Sequence, residues 1–132
     1  MDLEVKEDLY YTKDHEWIRV EDGEGTVGLA DFAQNELGDI VFVEMPREGD
    51  EFDQKDEFAV VESVKAVADI YIPVSGTITE VNEDLLDQPE LVNDDPYGEG
   101  WFVKLEVDDE AELDNLMQAE EYEKYLVEEE EV

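Results

Sequence analysis

Cysteine is absent from this 132-residue chain, and histidine occurs once, as His15. Without cysteine there is neither a disulfide nor a thiolate zinc site. One histidine is too few for a metal centre built on imidazoles. Basic residues are scarce as well: 8 Lys+Arg stand against 42 Asp+Glu, for a formal net charge of -34. Such a chain has little with which to neutralise phosphates, which argues against nucleic acid and against anionic membrane surfaces. No apolar run approaches transmembrane length. The opening residues, Met-Asp-Leu-Glu-Val-Lys-Glu-Asp, lack the basic-then-apolar order of a signal peptide, so the expected location is the cytoplasm.

What remains is enough for one globular domain. Hydrophobic residues make up 42% of the chain and aromatics 10%, and this length suits a single core. The expected organisation is a single domain over residues 1–127, followed by an acidic, disordered tail over 128–132. The acid is spread along the whole chain instead of forming one tail or one face. High net charge keeps a protein soluble but opposes compaction. At molar salt the Debye length falls to about 3 Å, which screens most of that repulsion. The distribution therefore suggests the cytoplasm of an extreme halophile.

Periodicity reads as mainly β. Residues 1–8 are polar and expected to fray. Tyr10 to Val20 is strand-rich, Glu21–Gly25 is a turn, and Thr26–Leu29 resumes a strand. Asp31–Gly38 reads as a short helix, with Asp31 as N-cap and Gly38 as its stop. Asp39–Met45, Glu57–Val61, Val67–Val74, Thr77–Val81 and, as the last strand, Trp101–Val107 follow. Arg47–Asp50 is a turn, and Asn82–Gly100 reads as loop. From Asp108 a helical stretch begins, with its apolar stripe shifting phase near Gln118-Ala119. Many short strands between turns point to a small barrel or sandwich.

Lys65 stands out in this pattern. Between Phe58 and Gly76 the only other charges are Glu62 and Asp69. The lysine falls in the connection Glu62–Ala66, between two apolar strands. Covalent attachment of a carried group needs an amine at an exposed tip above rigid strands. A plain surface lysine in a hairpin turn is the competing reading. Tyr97-Gly-Glu-Gly100 is glycine-rich but lacks the following helix of a phosphate loop. No acidic cluster has calcium-loop spacing. Trp17, Trp101 and the Tyr10-Tyr11 pair read as core or cleft wall. His15 titrates near neutral pH, but a structural role suits it better than acid–base work.

Val60-Val-Glu-Ser-Val-Lys-Ala66 resembles the lipoyl-attachment motif of the glycine cleavage system H protein family. The resemblance continues in Tyr11-Thr-Lys-Asp-His-Glu-Trp17, Val27–Gln34, Leu37–Pro46, Pro73-Val-Ser-Gly76, Glu80-Val-Asn82, Leu91–Trp101 and Ala119-Glu-Glu-Tyr122. Only the first residues and the acidic tail fall outside it. It implies a barrel-sandwich hybrid, lipoyl/biotinyl-like, with a short helix after the second strand and helices at the C-terminus. It implies lipoate joined to Lys65 through an amide, on a monomeric carrier that is not itself an enzyme. The implied partners are a pyridoxal-phosphate glycine decarboxylase, an aminomethyltransferase using tetrahydrofolate, a dihydrolipoyl dehydrogenase and a lipoate-attaching enzyme. The carrier shuttles an aminomethyl group between the first two. Glu62 is implied in recognition by the attaching enzyme. Glu16 and Asp69 match family positions near the loaded arm, where carboxylates can pair with its ammonium; a solvated acid is the alternative for each. Phe32 occupies a place where the family often has histidine, which removes a polar contact there.

Two carrier rivals fit less well. Biotinyl domains usually flank the lysine with methionines, whereas Val64 and Ala66 flank it here. Lipoyl domains of 2-oxoacid dehydrogenases usually place aspartate directly before it. A lipoyl donor or relay for other enzymes is the alternative function. The charge distribution makes its own prediction: the thermal midpoint rises substantially from low salt to molar KCl. A midpoint that does not move in a salt-series melt contradicts the halophilic reading.

Overall fold

The computed structural model describes residues 3–130. Ten short strands, antiparallel throughout, form two sheets. The strands are β1 (Tyr10–Tyr11), β2 (Glu16–Glu21), β3 (Glu24–Leu29), β4 (Ile40–Glu44), β5 (Glu51–Phe52), β6 (Glu57–Ser63), β7 (Val67–Tyr71), β8 (Gly76–Val81), β9 (Val103–Val107) and β10 (Met117–Gln118). The larger sheet runs β10-β1-β2-β3-β9-β8-β5, and the smaller runs β4-β6-β7. Buried side chains of both sheets, among them Ile18, Val27 and Leu105 from the larger and Val43, Val61 and Ile70 from the smaller, share one core. This is the expected β sandwich.

Local chemistry explains most boundaries. Asp22 and Gly23 turn β2 into β3 with φ of 51° and 81°, the pair of left-handed residues that a tight hairpin needs. The stretch Tyr10–Val20 divides into two strands because Thr12–His15 forms a turn, with His15 at φ 72° and the Thr12 hydroxyl accepting from the N–H groups of Asp14 and Glu16. Helix α1 (Asp31–Leu37) therefore follows the third strand, not the second. Its N-cap is Ala30, not Asp31. The Ala30 N–H bonds to the His15 carbonyl and holds that residue extended, so the helix starts immediately after it. Asp31 is instead the first helical residue, and its carboxylate accepts from Gln34 Nε2 and the Glu4 N–H. Gly38, at φ 79°, ends the helix as expected.

Other expectations need correction. The segment Asn82–Gly100 contains two helical turns, α2 (Asp84–Asp87) and α3 (Leu91–Asp94). Burial of Leu85 and Val92 drives them, although the local sequence is rich in prolines, glycines and acids. Trp101–Val107 is not the last strand: β9 begins at Val103, and the brief β10 follows a 3₁₀-helix over Glu110–Asn115. Pairing with β1 makes β10 a strand, as pairing with β8 does for the equally short β5. Helix α4 (Ala119–Glu129) opens at the expected phase break, with Gln118 and Glu121 in a capping box.

Neither end is as loose as composition suggested. Within the described residues the N-terminal segment is tied down: the Tyr97 hydroxyl donates to the Glu4 carbonyl, and the Lys6 N–H donates to the Tyr11 hydroxyl. Met1 and Asp2, also expected to fray, lie outside the described residues. At the other end α4 includes Glu128 and Glu129, past the expected domain limit, while Glu131 and Val132 lie outside the described residues.

A second buried cluster holds α4 to the sheet. It contains Leu9, Tyr11, Trp17, Phe32, Tyr97, Tyr122 and Leu126. The rings of Tyr11 and Tyr122 stack with centroids 4.2 Å apart and an interplanar angle of 2°. Tyr122→Ala removes a fully buried ring and is expected to cost about 3–5 kcal/mol, the range for large aromatic truncations. Urea melts at fixed KCl concentration measure this directly; a loss below about 1 kcal/mol means α4 is not part of the cooperative unit.

Candidate functional site

The β6–β7 hairpin carries Lys65 at its tip. Glu62 and Ser63 belong to β6, so the connection is shorter than the sequence indicated and consists of Val64, Lys65 and Ala66. Ser63 closes it: its N–H bonds to the Ala66 carbonyl at 2.8 Å, and its hydroxyl accepts from the N–H groups of Lys65 and Ala66 at 3.2 and 3.0 Å. A small hydroxyl residue at this corner thus replaces water at backbone groups that the turn leaves unpaired. Outside the hairpin, the Val64 N–H donates to the Asp39 carbonyl at 3.0 Å. The lysine stem passes over Gly38, where a Cβ would stand 3.6 Å from Lys65 Cε.

Lys65 is exposed, and among the described residues no carboxylate forms an ion pair with it. Val64 and Val67 beside it are 68% and 67% exposed. Glu62 is exposed on the same outward face, opposite Val67 on β7 and Phe42 on β4. The amine is therefore free, reachable and carried on a backbone that is hydrogen-bonded on both sides.

Alternation along β7 puts Val67, Asp69 and Tyr71 on one face, the face away from the buried Ile70. From Val67 to Tyr71 this face covers about 13 Å of strand. It ends at a recess of about 320 Å³, whose lining includes Thr12, Glu16, Gln54, Tyr71, Pro73 and Leu116. Glu16 lies in this recess and is only 1% exposed. Its carboxylate accepts from the Thr12 hydroxyl and from the Tyr71 N–H. Burial raises its pKa to about 7, although both hydrogen bonds oppose the rise. No cation pairs with it among the described residues. A buried carboxyl in this state favours an incoming positive charge.

The remaining candidates separate from this pair. Asp69 is exposed and does not line the recess; it stands between Lys65 and Tyr71, and its charge pushes the nearby Glu57 carboxyl upward. His15 is structural. Its Nδ1 lies 2.9 Å from the Tyr122 hydroxyl, its Nε2 lies 3.2 Å from a Glu130 oxygen, and its ring packs on Phe32. Burial lowers its pKa, so the neutral ring is favoured. Phe32 thus serves the α4 cluster and presents no polar group. Trp17 is core, donating from Nε1 to the carbonyls of Leu29 and Pro96. Thr12 and Tyr71 were missed as site residues. Thr12 had a faint signal in its spacing four residues before Glu16; Tyr71 bonds through its backbone, which no side-chain motif reveals.

Residues 9–129 match the model of the family described as Glycine cleavage H-protein. The chain is 56% identical over 125 residues to the glycine cleavage system H protein of Carboxydothermus hydrogenoformans, covering 95% of this chain and 96% of that one. It is 52% identical over 122 residues to the probable glycine cleavage system H protein of Haloarcula marismortui, covering 92% and 96%. The crystal structure of a glycine cleavage system H protein from Mycobacterium marinum superposes with a TM-score of 0.83 at 37% identity, covering 91% of this chain and 97% of that one.

The recess predicts a pH effect of definite sign. Glu16 ionises near pH 4.5 when unfolded and at about 7 when folded, so the folded state holds the extra proton between those values. Its contribution is fully present below pH 4.5 and is lost as pH rises through 7, a span on the order of 3 kcal/mol. Relative to Glu16→Gln, the wild-type chain should lose stability across that window. Parallel pH profiles for the two proteins, measured by urea melts in constant KCl, contradict a buried, raised Glu16.

Proposed function

The chain belongs to the glycine cleavage H-protein family, the carrier component of the glycine cleavage system, and we propose that Lys65 is its lipoyl-attachment residue. The observation that carries this reading is the exposed, ion-pair-free amine on a hairpin tip whose backbone is bonded on both sides. The lysine fits the group chemically: an unpaired primary amine forms an amide without breaking any contact in the fold. Lipoate bound there supplies a disulfide that takes up the aminomethyl group and is later returned from the dithiol form.

The chain's own residues have three tasks. Ser63 fixes the tip, so that every partner meets the same shape. The outward face of β7 offers Val67 and Tyr71 as an apolar path toward the recess, with Asp69 along it. Glu16 would hold a positively charged group brought into the recess, which would add the partner its buried carboxyl lacks. Lining residues such as Pro73 and Leu116 would exclude water from a hydrolysable group held in the recess. Glu62 stands next to the tip as a handle for the attaching enzyme.

In this reading the protein is a carrier without catalysis of its own. It exchanges its cargo with a pyridoxal-phosphate glycine decarboxylase, a tetrahydrofolate-dependent aminomethyltransferase and a dihydrolipoyl dehydrogenase. A tethered group makes delivery between separate enzymes a matter of presentation instead of free diffusion of an unstable intermediate. The chain through the end of α4 at Glu129 forms one carrier domain, working as a monomer in a salt-rich cytoplasm. Intact-mass measurement of protein from the native host should show a lipoyl-sized increment that maps to Lys65. Lys65→Arg should abolish glycine–bicarbonate exchange and leave the thermal midpoint within about 2 °C, since the tip is exposed. Exchange that survives in this variant refutes the assignment.

A further inference from the structure

We propose that Asn93 is a positioning residue for Lys65, acting through the backbone of Gly38–Ile40. The inference rests on Lys65 as the attachment residue and assigns a role within the Leu91–Trp101 segment, which the carrier reading leaves without one.

Asn93 sits on α3 and makes three side-chain hydrogen bonds. Its Oδ1 accepts from the Ile40 N–H at 2.9 Å. Its Nδ2 donates to the Gly38 carbonyl at 2.9 Å and to Gln34 Oε1 at 3.0 Å. Gly38 and Ile40 flank Asp39, whose carbonyl receives the Val64 N–H beside Lys65. Asn93 therefore grips the chain on both sides of the point from which the hairpin tip is suspended. The Lys65 stem also lies over Gly38, the first of the gripped residues.

The sheet alone does not hold this point. Strand β4 is an edge of the small sheet. Its pairing with β6 is regular from Phe42 onward but slips between Ile40 and Phe42, just at the tip. An edge strand leaves one row of N–H and C=O groups without a neighbour. The carboxamide of Asn93 has the donors and acceptor of a peptide unit and fills the place of the missing strand. Aspartate cannot do this: it keeps an acceptor for Ile40 but sets a carboxylate oxygen against the Gly38 carbonyl and Gln34 Oε1. Alanine removes all three bonds.

The experiment compares wild type, Asn93→Asp and Asn93→Ala as full chains in molar KCl. Two readouts are used: amide hydrogen exchange at Ile40 and Val64, with Val27 and Val103 in the large sheet as control amides, and steady-state lipoate attachment by a lipoate-attaching enzyme. We expect exchange at Ile40 and Val64 to accelerate about tenfold more than at Val27 and Val103, as loss of a part-buried hydrogen-bond partner implies. The kcat/KM of attachment should fall by a similar factor. A purely structural role would speed all four amides together and leave attachment unchanged at matched stability; that result overturns the proposal. So does a loosened Val64 amide with attachment at the wild-type rate. If either variant fails to fold, the other supplies both readouts. A wild-type chain that accepts no lipoate overturns the attachment reading of Lys65 instead, and the Val64 exchange then decides the brace on its own.

Discussion

Electrostatic self-repulsion is the constraint under which the rest of this structure is built. With 42 acids and 8 bases in 132 residues, almost every surface position adds to a field that opposes folding. Local pairing relieves little of it: among the described residues only two Lys–Glu ion pairs form, and the contact of Glu130 with the neutral His15 ring is a hydrogen bond. Compaction must come from the apolar side. Two clusters provide it, one between the sheets and one under α4. Neither contains a charged side chain, so salt can screen the surface without touching the packing.

Against that background the site is distinguished by its treatment of charge. Beside Lys65 the exposed large hydrophobics are Val64 and Val67, and Glu62, exposed on the same face, forms no ion pair with the amine. An ion pair there would hold the amine against the surface. At the recess the opposite solution appears. Glu16 is withdrawn from solvent and satisfied by Thr12 and Tyr71, yet left without a counter-charge. One end of β7 thus has an amine with no ion-pair partner, and the other a buried carboxyl with none, in a recess also lined by Lys13 and Lys55. In the reading proposed for Lys65 and Glu16, a group anchored at the first and carrying an ammonium to the second would join them through the geometry of a single strand.

How much of this the sequence disclosed follows from the range of the interactions involved. The Glu21–Gly25 turn, the Gly38 stop and the Glu62–Ala66 connection were legible because local backbone chemistry decides them, although the turn and the connection are both shorter than read. The two-residue strands β5 and β10 were not, since each exists only through a distant partner. Helices α2 and α3 were hidden because single buried residues, Leu85 and Val92, outweigh unfavourable composition. Glu16 matched a family position, but its burial had no local sign in so acidic a chain. One of the bonds that hold it comes from Tyr71, 55 positions away. Asn93 is the extreme case, since its three partners lie between 53 and 59 positions away.

The placement of Ser63 and Asn93 separates two requirements that conflict in a carrier. The attachment point must be fixed, because several enzymes have to recognise it. The arm must be mobile, because it visits each of them and the recess as well. Ser63 acts within the hairpin and Asn93 from outside it, and both act on backbone atoms. Neither touches the lysine amine. Rigidity therefore ends at the Lys65 backbone, and the side chain keeps its freedom. Bonds made to the amine would have fixed the arm together with the tip. With the arm on Lys65 as proposed, hydrogen bonds on the turn and on the edge of β4 would order its base and leave its reach unrestricted.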